Sequence, residues 1–541
     1  MTPGRKRGIL IGGAVLVVAI VVAGLVVLNS GDEAPAAAGP ATESGTVAGD
    51  PTSAITEYLQ DFAEGNTDGA SRLTDDPAAA AVALRDARNQ LVPTKTTATL
   101  TKVQPTAAGA TKTSGTFTVS WTLKPGKVWT YDDTFDVLLS GSGWRVHWAP
   151  TLLHPKLEAG QRLVLSTAAA DTPVVVDRDG KPLVIAGAGG NRPVEGNPAP
   201  LLRPAFLSQA AAASGDGFAI ARVDTAGKNV ETLFGTASAS GEVKPHKASL
   251  SLAAQNAAQA AVDGFKGSAT LIALDASNGD ILAVAQNAAA GDAPKAFSGL
   301  YAPGSSFKIV TATAAIENRG LTANSPVNCP LTDTIGTRTV SNEGFELGAT
   351  TLQNAFARSC NTTFGALALD LPADALKKAA DQYGLNADFE IPGISSELGK
   401  IEPPANKDEQ VEDGFGQGRL QMSALGGAVM AATVRSGKAI TPRLWSDVET
   451  TVVKSYSPPP GAALGTVRTL MRAVVTSGTA KAAASAGQVF GKTGTAQFGD
   501  GSQATGWFVG YRDNVAFAVM LEKSNDSGPA VSMAAKFLKA L

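Results

Sequence analysis

The sequence predicts a multidomain α+β protein that begins with a transmembrane helix. Three observations lead to this prediction. The chain has 541 residues, which is too long for one hydrophobic core and fits about three domains. An uncharged apolar stretch runs from Gly8 to Leu28. Strand-like alternating stretches and helix-like segments recur along the rest of the chain, which is typical of α+β domains.

The apolar stretch follows three cationic residues, Arg5, Lys6 and Arg7. Its roughly 21 residues span ~31 Å as a helix, which matches the hydrocarbon core of a bilayer. By the positive-inside rule, we expect the N-terminus to stay in the cytoplasm and the chain after Asn29 to lie outside the cell membrane. A cleaved signal peptide is the alternative, because small residues at 36–38 offer a cleavage site.

Composition shifts divide the chain into five segments. Residues 1–30 form the predicted cytoplasmic N-terminus and anchor, and residues 31–50, rich in Ala, Gly and Pro, form a flexible linker. Residues 51–153 are predicted to be a small α+β domain, residues 154–247 a second domain, and residues 248–541 the largest one. In the last of these we expect an antiparallel sheet flanked by helices.

The small domain has a helical pattern followed by four strand-like stretches. Ile55, Tyr58, Leu59 and Phe62 recur at helical spacing, and the expected strands are at 97–103, 114–123, 128–139 and 144–147. Five aromatic residues here could line a binding cleft, but the core of a curved sheet is the interpretation that their pattern favours: Trp121, Trp129, Tyr131, Trp144 and Trp148.

The largest domain has two strand groups. The first is a hairpin of 270–275 with 280–285 around Asn278-Gly279. The second consists of consecutive antiparallel strands at 488–497, 506–512 and 515–521. We therefore expect one sheet near the end of the chain.

Three short motifs occur in a fixed order in this domain: Ser305-Ser306-Phe307-Lys308, Ser359-Cys360-Asn361 and Lys492-Thr493-Gly494-Thr495. A Ser-x-x-Lys alone is expected about once by chance in such a chain, so the order and the combination carry the signal. We predict a helix that opens at Ser305, after the break at Pro303-Gly304. Lys308 then lies one turn on, where its amine can reach the Ser305 hydroxyl.

A lysine acts as a base near neutral pH only if its pKa is lowered. Burial and a second nearby cation do this, and Lys492 is the candidate cation. Ser305 as an ordinary N-cap with a solvated Lys308 is the alternative, but it leaves the Lys492 motif unexplained.

Composition excludes several other classes of function. The three histidines are His147, His154 and His246, all before Ser305, which excludes a Ser-His-Asp site in the last domain. Cysteine and histidine spacings fit no metal site, so we expect neither metal nor cofactor. The net charge is −3, from 45 basic and 48 acidic residues, which gives no reason to expect nucleic acid as a partner.

With these motifs, the chain resembles the class B penicillin-binding proteins of the methicillin-resistance type. The resemblance includes Gly416-Gln417-Gly418, Ser477-Gly478-Thr479-Ala480 and Gly506-Trp507-Phe508-Val509-Gly510, and more weakly the segments His154-Pro155 and Asp177-Arg178-Asp179-Gly180. It implies a nuclear-transport-factor-2-like (NTF2-like) domain at 51–153 and a pedestal or dimerisation domain at 154–247. It also implies a serine β-lactamase-like transpeptidase domain at 248–541.

The resemblance implies a role for each motif residue. Ser305 attacks, Lys308 takes its proton, Ser359 relays a proton and Asn361 binds the substrate amide. Lys492, Thr493 and Thr495 hold the terminal carboxylate of the peptide, while Gly494 allows the peptide to approach an edge strand. Cys360 is expected to point away from the cleft.

The implied function is peptidoglycan cross-linking by a D,D-transpeptidase, with stem peptides and β-lactams as ligands. A polytopic glycosyltransferase of wall synthesis is an implied partner. Three alternatives remain open: a D,D-carboxypeptidase, a β-lactamase with Glu402 as its base in a Glu-x-x-x-Asn spacing that ends at Asn406, and a non-catalytic scaffold or β-lactam sensor. The sequence also leaves open whether Cys329 and Cys360 form a disulfide or remain thiols.

Overall fold

The computed structural model describes residues 50–541, except 125, 142, 167, 169–170, 188–190, 197–198, 213–216, 238–242 and 499–502. The predicted anchor at 1–30 and most of the predicted linker at 31–50 lie outside the described residues. Within the described part, no helix combines the length and apolarity that a membrane crossing requires.

The N-terminal part packs three helices against a four-stranded antiparallel sheet of order β1-β2-β3-β4. Asp50 caps the first helix through Thr52 N, which fixes where the helix starts. Trp121, Trp129 and Trp144 are buried, so the core interpretation of the aromatic set is correct for these three. The elements are α1 Pro51–Glu64, α2 Thr67–Arg72, α3 Pro77–Leu91, β1 Lys95–Val103, β2 Lys112–Lys124, β3 Lys127–Ser140 and β4 Gly143–Val146.

The middle part has two small sheets, of order β10-β9-β5 and β11-β6-β7-β8. The first contacts the N-terminal part through Phe234, whose ring stacks on Trp129 with the centroids 6.4 Å apart. The elements are β5 Arg162–Ser166, β6 Pro173–Val176, β7 Pro182–Ile185, β8 Arg192–Pro193, α4 Arg203–Ala212, β9 Phe218–Val223, β10 Asn229–Thr236 and β11 His246–Lys247.

The C-terminal part is built on a five-stranded antiparallel sheet of order β13-β12-β24-β23-β22. Helices α5, α12 and α14 pack against it. The elements are α5 Leu252–Val262, β12 Ala269–Asp275, β13 Ile281–Gln286, α6 Lys295–Ser298, α7 Lys308–Arg319, β14 Pro326–Cys329, β15 Thr332–Ile335, β16 Arg338–Ser341, β17 Gly348–Thr351, α8 Leu352–Ala357, α9 Asn361–Leu369, α10 Ala375–Asp381, β18 Asp388–Glu390, β19 Gly399–Lys400, α11 Lys407–Asp413, β20 Gln421–Met422, α12 Ala424–Ser436, β21 Thr451–Lys454, α13 Gly461–Thr476, β22 Val489–Phe498, β23 Gln503–Arg512, β24 Val515–Leu521 and α14 Gly528–Lys539.

The predicted α+β character and the predicted strands of the last domain are confirmed, with shifts of a few residues at their ends. One cluster of buried hydrophobic residues has members from Ala168 to Leu538 in the sequence. Within this cluster, the rings of Phe206 and Trp445 pack edge to face with their centroids 5.7 Å apart. The middle and C-terminal parts therefore share a core. The exact domain boundaries remain predictions.

Candidate active site

The three motifs meet at an open cleft of about 890 Å³ beside the edge strand β22. Ser305, Ser359, Asn361, Thr493 and Thr495 line this cleft. The two lysines of the motifs, Lys308 and Lys492, are fully buried beneath it. The structure thus brings together every residue that the sequence predicted for the site, although their individual roles remain predictions.

The turn that carries Ser305 differs from the predicted helix start. A 3₁₀ turn spans Gly304–Phe307, and the α-helix begins only at Lys308. The turn is tight because Ser306 Oγ donates to Pro303 O at 2.7 Å. Ser305 therefore lies in the turn before α7, and Lys308 is the first residue of that helix.

The Lys308 amine is surrounded by four oxygen atoms. Nζ lies 2.8 Å from Ser359 O, 2.7 Å from Asn361 Oδ1, 2.9 Å from Ser305 Oγ and 3.2 Å from Ser359 Oγ. The two carbonyl-type oxygens can only accept, so they take both protons of a neutral amine. The lone pair is then left for the Ser305 hydroxyl proton, which is the geometry of a general base.

Electrostatics favour the neutral amine. Burial away from water lowers the pKa of Lys308 well below its usual value, and the positive charge of Lys492 lowers it further. The carboxylate of Glu343 partly offsets this by raising the Lys308 pKa. The sequence-based expectation that Lys492 acts as the second cation agrees with this arrangement.

Lys492 connects the second motif to the third. Its Nζ donates to Ser359 Oγ and to Thr493 O, both at 2.9 Å. Burial lowers the Lys492 pKa to about 7. Ser359 Oγ thus lies within hydrogen-bond reach of both lysines, a position from which a hydroxyl can pass a proton between them.

Ser359 is held in an unusual backbone conformation. Its φ is 65°, a region that costs a non-glycine residue about 1 kcal/mol or more. In this conformation its carbonyl oxygen accepts from Lys308 while its hydroxyl faces Lys492. The strain therefore coincides with the position where one residue contacts both amines.

Gly494 is packed against the turn that carries Ser305. A Cβ at this position would lie 2.6 Å from Pro303 O, 3.0 Å from Ser306 N and 3.1 Å from Trp507 Cβ. Two of these atoms are backbone and cannot move aside cheaply. Glycine is thus required here so that β22 can approach the nucleophile.

Two residues without a predicted role complete the site. Asn342 Oδ1 accepts from the Asn361 backbone N at 2.7 Å, and its Nδ2 donates to Pro330 O at 2.7 Å. The hydroxyls of Thr479 and Thr493 are 2.6 Å apart, and Thr479 lines the cleft. Thr479 lies in a segment that contributed to the resemblance, whereas Asn342 carried no sequence signal.

The two cysteines are bonded. A Cys329–Cys360 disulfide lies beneath the second motif, and both residues are fully buried. Cys360 is absent from the cleft lining among the described residues, in agreement with the expected orientation. The bridge ties β14 to the residues that precede α9.

Glu402 does not line the Ser305 cleft. It lies at a separate cavity of about 390 Å³ together with Glu409, Asp413 and Arg419. Asn406 caps α11 by accepting from Glu409 N at 2.9 Å. The predicted Glu-x-x-x-Asn spacing therefore corresponds to a helix cap, and a deacylating base at Glu402 finds no support.

Asp413 at this second cavity is a buried carboxyl. Its Oδ1 has no hydrogen-bond partner among the described residues, and a Cβ on Gly418 would lie 2.5 Å from it. Burial and then the nearby charge of Glu409 raise the pKa of Asp413 to about 8. The carboxyl is thus largely protonated at neutral pH, next to Gly418, which lines both this cavity and the Ser305 cleft.

A serine within hydrogen-bond reach of a buried lysine whose pKa is lowered, next to an edge strand and with no histidine among the described lining residues, defines the class of serine acyl-transfer proteins. The model of the penicillin binding protein transpeptidase domain matches residues 269–541, and the NTF2-like N-terminal transpeptidase domain matches residues 50–161. The chain belongs to the penicillin-binding protein transpeptidase family. The resemblance to the penicillin-binding proteins with an NTF2-like N-terminal domain is thereby confirmed, whereas the pedestal or dimerisation domain at 154–247 stays a prediction.

Curated relatives support the same family. Peptidoglycan D,D-transpeptidase PbpA of Mycolicibacterium smegmatis is 30% identical over 264 residues, which cover 43% of this chain and 52% of the relative. Penicillin-binding protein 3 of Bacillus subtilis is 30% identical over 256 residues, covering 43% of this chain and 38% of the relative. The chain thus spans about half the length of the mycobacterial relative.

A solved structure shares the fold. The D,D-transpeptidase domain of a peptidoglycan glycosyltransferase from Eggerthella lenta has a TM-score of 0.55 and 25% identity. The similarity covers 69% of this chain and 98% of that domain.

Proposed function

We propose that the protein is a membrane-anchored peptidoglycan D,D-transpeptidase that also binds β-lactams covalently. The observation that carries the proposal is the Lys308 amine, whose Nζ lies 2.9 Å from Ser305 Oγ within a buried, cation-flanked site. The family match and the similarity to a D,D-transpeptidase from M. smegmatis support the substrate class.

In the proposed reaction, Ser305 Oγ attacks the carbonyl carbon of the penultimate D-Ala of a stem pentapeptide. Lys308 takes the hydroxyl proton, and the proton passes through Ser359 to the leaving nitrogen. The C–N bond to the terminal D-Ala breaks, leaving an ester on Ser305. An amine of a neighbouring stem then attacks the ester carbonyl, its proton returns through Lys308, and Ser305 is regenerated.

The edge strand β22 binds the donor in this proposal. An extended peptide pairs with its main chain near Thr495, while Lys492 and Thr493 attract the terminal carboxylate. The membrane anchor at 1–30 keeps the site on the extracytoplasmic side, supported by the apolar and cationic N-terminal sequence. A polytopic glycosyltransferase is the proposed partner, supported by the family resemblance.

Intact-mass spectrometry with benzylpenicillin tests the proposal. One covalent adduct should form, on Ser305, and it should disappear in Ser305→Ala. Lys308→Ala should slow its formation by orders of magnitude, because the nucleophile loses its base. Ser436→Ala is the control, since that hydroxyl donates to Ala432 O at the end of α12 and is absent from the cleft lining among the described residues. Undiminished labelling of the Ser305→Ala protein would refute the assignment.

A further inference from the structure

Among the described residues, two acidic and two basic side chains line the cleft around Ser305, and they differ in whether their charges are already paired. Arg338 and Glu412 form an ion pair with each other. Glu343 and Arg358 also line the cleft and are exposed. Neither of these two has an ion-pair partner within 4.0 Å among the described residues. The described lining of the cleft therefore offers one acidic and one basic side chain without an ion-pair partner.

The free guanidinium is held in place. The Arg358 guanidinium carbon lies 5.4 Å from the centroid of the Phe345 ring, a cation–π contact that supports the flat face of the group. The N–H edge of a guanidinium stacked in this way stays available for a carboxylate, which it can bind through two parallel hydrogen bonds. Arg358 also directly precedes Ser359, so it lies near the reacting groups.

The free carboxylate is close to the reacting groups as well. The Glu343 charge acts on the Lys308 amine, whose pKa it raises against the larger effects of burial and Lys492. Glu343 and Phe345 belong to the same turn, in which Gly344 N donates to Asn342 O at 2.9 Å. The two free charges thus share one wall of the cleft, yet they do not neutralise each other.

We propose that Glu343 and Arg358 form a subsite for a zwitterionic α-amino-acid group at the end of a stem-peptide side chain. The inference rests on the proposed function. The ammonium of such a group pairs with Glu343 and its carboxylate with Arg358. A stem with a diamino diacid at the branching position carries this group, whereas a lysine-type side chain carries an ammonium alone. The subsite therefore selects the diamino diacid class.

The same chemical group can arrive on either of two stems. On the donor stem it is a side chain that is bound while Ser305 is acylated. On the acceptor stem its nitrogen forms the new C–N bond as the Ser305 ester C–O bond breaks, and its proton passes to Lys308. Two kinetic arms separate these cases.

In the donor arm, the acylation kcat/KM of the full-length protein is measured with two thioester donors. One donor ends in the zwitterion and the other in its carboxamide. In the acceptor arm, a donor without this side chain is transferred to D-alanine or to D-alaninamide. The readout in each arm is the rate with the zwitterion divided by the rate with the carboxamide. A general effect on Lys308 changes both rates alike, so it leaves this ratio unchanged.

We expect a ratio of at least about tenfold in one arm, as one good charge-assisted contact provides. Arg358→Gln should bring the ratio close to one, and Arg358→Lys should keep part of it because the charge remains. Glu343→Gln should weaken use of both the zwitterion and the carboxamide, since both carry the ammonium. Glu346→Gln is the matched control: this carboxylate is exposed on the same segment and is outside the cleft lining among the described residues.

A preference in the donor arm assigns the subsite to the donor stem, and a preference in the acceptor arm assigns it to the acceptor stem. A wild-type ratio near one in both arms, or a ratio that Arg358→Gln leaves unchanged, would overturn the subsite. Thermal unfolding and circular dichroism that match the wild-type protein verify that the Arg358 variants are folded. Failure of the proposed function differs from all of these, because no thioester would then acylate the wild-type protein.

Discussion

The Cys329–Cys360 disulfide should stabilise the part of the cleft that presents Ser359 and Asn361. The two cysteines are 31 residues apart in the sequence, and the loop they close contains β15 to β17 and α8. In the chain-entropy model, closing a loop of this length stabilises the folded state by ~3.7 kcal/mol at 25 °C. Opening of this loop would carry Ser359 away from Lys308.

The perturbation is reduction of the wild-type protein, which removes the bond and keeps both side chains. Since ~1.4 kcal/mol corresponds to a factor of ten, opening of β14 and β17 should become several hundred-fold more frequent. Amide hydrogen exchange of these two strands measures this. Acylation by benzylpenicillin should slow in parallel, because the second motif is then ordered for a smaller fraction of the time.

The double variant Cys329→Ala/Cys360→Ala separates the bond from the packing. Both sulfurs are buried in a small cluster with Ala355, so this variant should lose stability beyond that of the reduced protein. The reasoning is refuted if reduction leaves the exchange of β14 and β17 unchanged. It is also refuted if two thiols titrate in the denatured, unreduced protein.

Three further predictions concern the remaining parts of the site. Gly494→Ala should lower the acylation rate by about 10²-fold, because its Cβ would displace the turn that carries Ser305; a wild-type rate in stopped-flow labelling would contradict this. Asp413 has a folded pKa of about 8, against about 4 in the unfolded chain, so its contribution to stability is present below pH ~4 and is lost as pH rises towards 8. Asp413→Asn should therefore gain stability relative to wild type between pH 5 and pH 9 in thermal unfolding, and a constant difference would contradict the raised pKa. Lys492→Met removes a cation, so the pKa of Lys308 should rise and the ascending limb of the pH–acylation profile should move to higher pH; an unshifted limb would show that Lys492 does not tune the base.

Local sequence patterns predicted most strands of the C-terminal sheet and the motif residues that form the active site. The strands 488–497, 506–512 and 515–521 agree with β22, β23 and β24 because their alternation and turns are local signals. The motif residues Ser305 and Lys308 were predictable because the chemistry requires a serine and a base one turn apart.

Contacts between distant segments were not predictable in the same way. The hydrogen bond from Asn361 N to Asn342 joins residues 19 positions apart through a turn that no periodicity indicates. The pairing of Cys329 with Cys360 depends on a Cα separation of 6.2 Å, which only the tertiary fold sets. The helix start at Lys308 instead of Ser305 reflects a side-chain contact between Ser306 and Pro303, which a pattern of apolar residues does not encode.

The most direct test of the central claim follows the acyl group after it reaches Ser305. The full-length protein is incubated with a D-Ala-D-Ala pentapeptide donor and increasing concentrations of an amine-bearing stem peptide, and the products are resolved by mass spectrometry. A transpeptidase should form the cross-linked peptide with release of one D-Ala, and the share of hydrolysed donor should fall as the acceptor increases. Release of D-Ala that is indifferent to the amine, with no cross-linked product, would contradict the account and favour a carboxypeptidase.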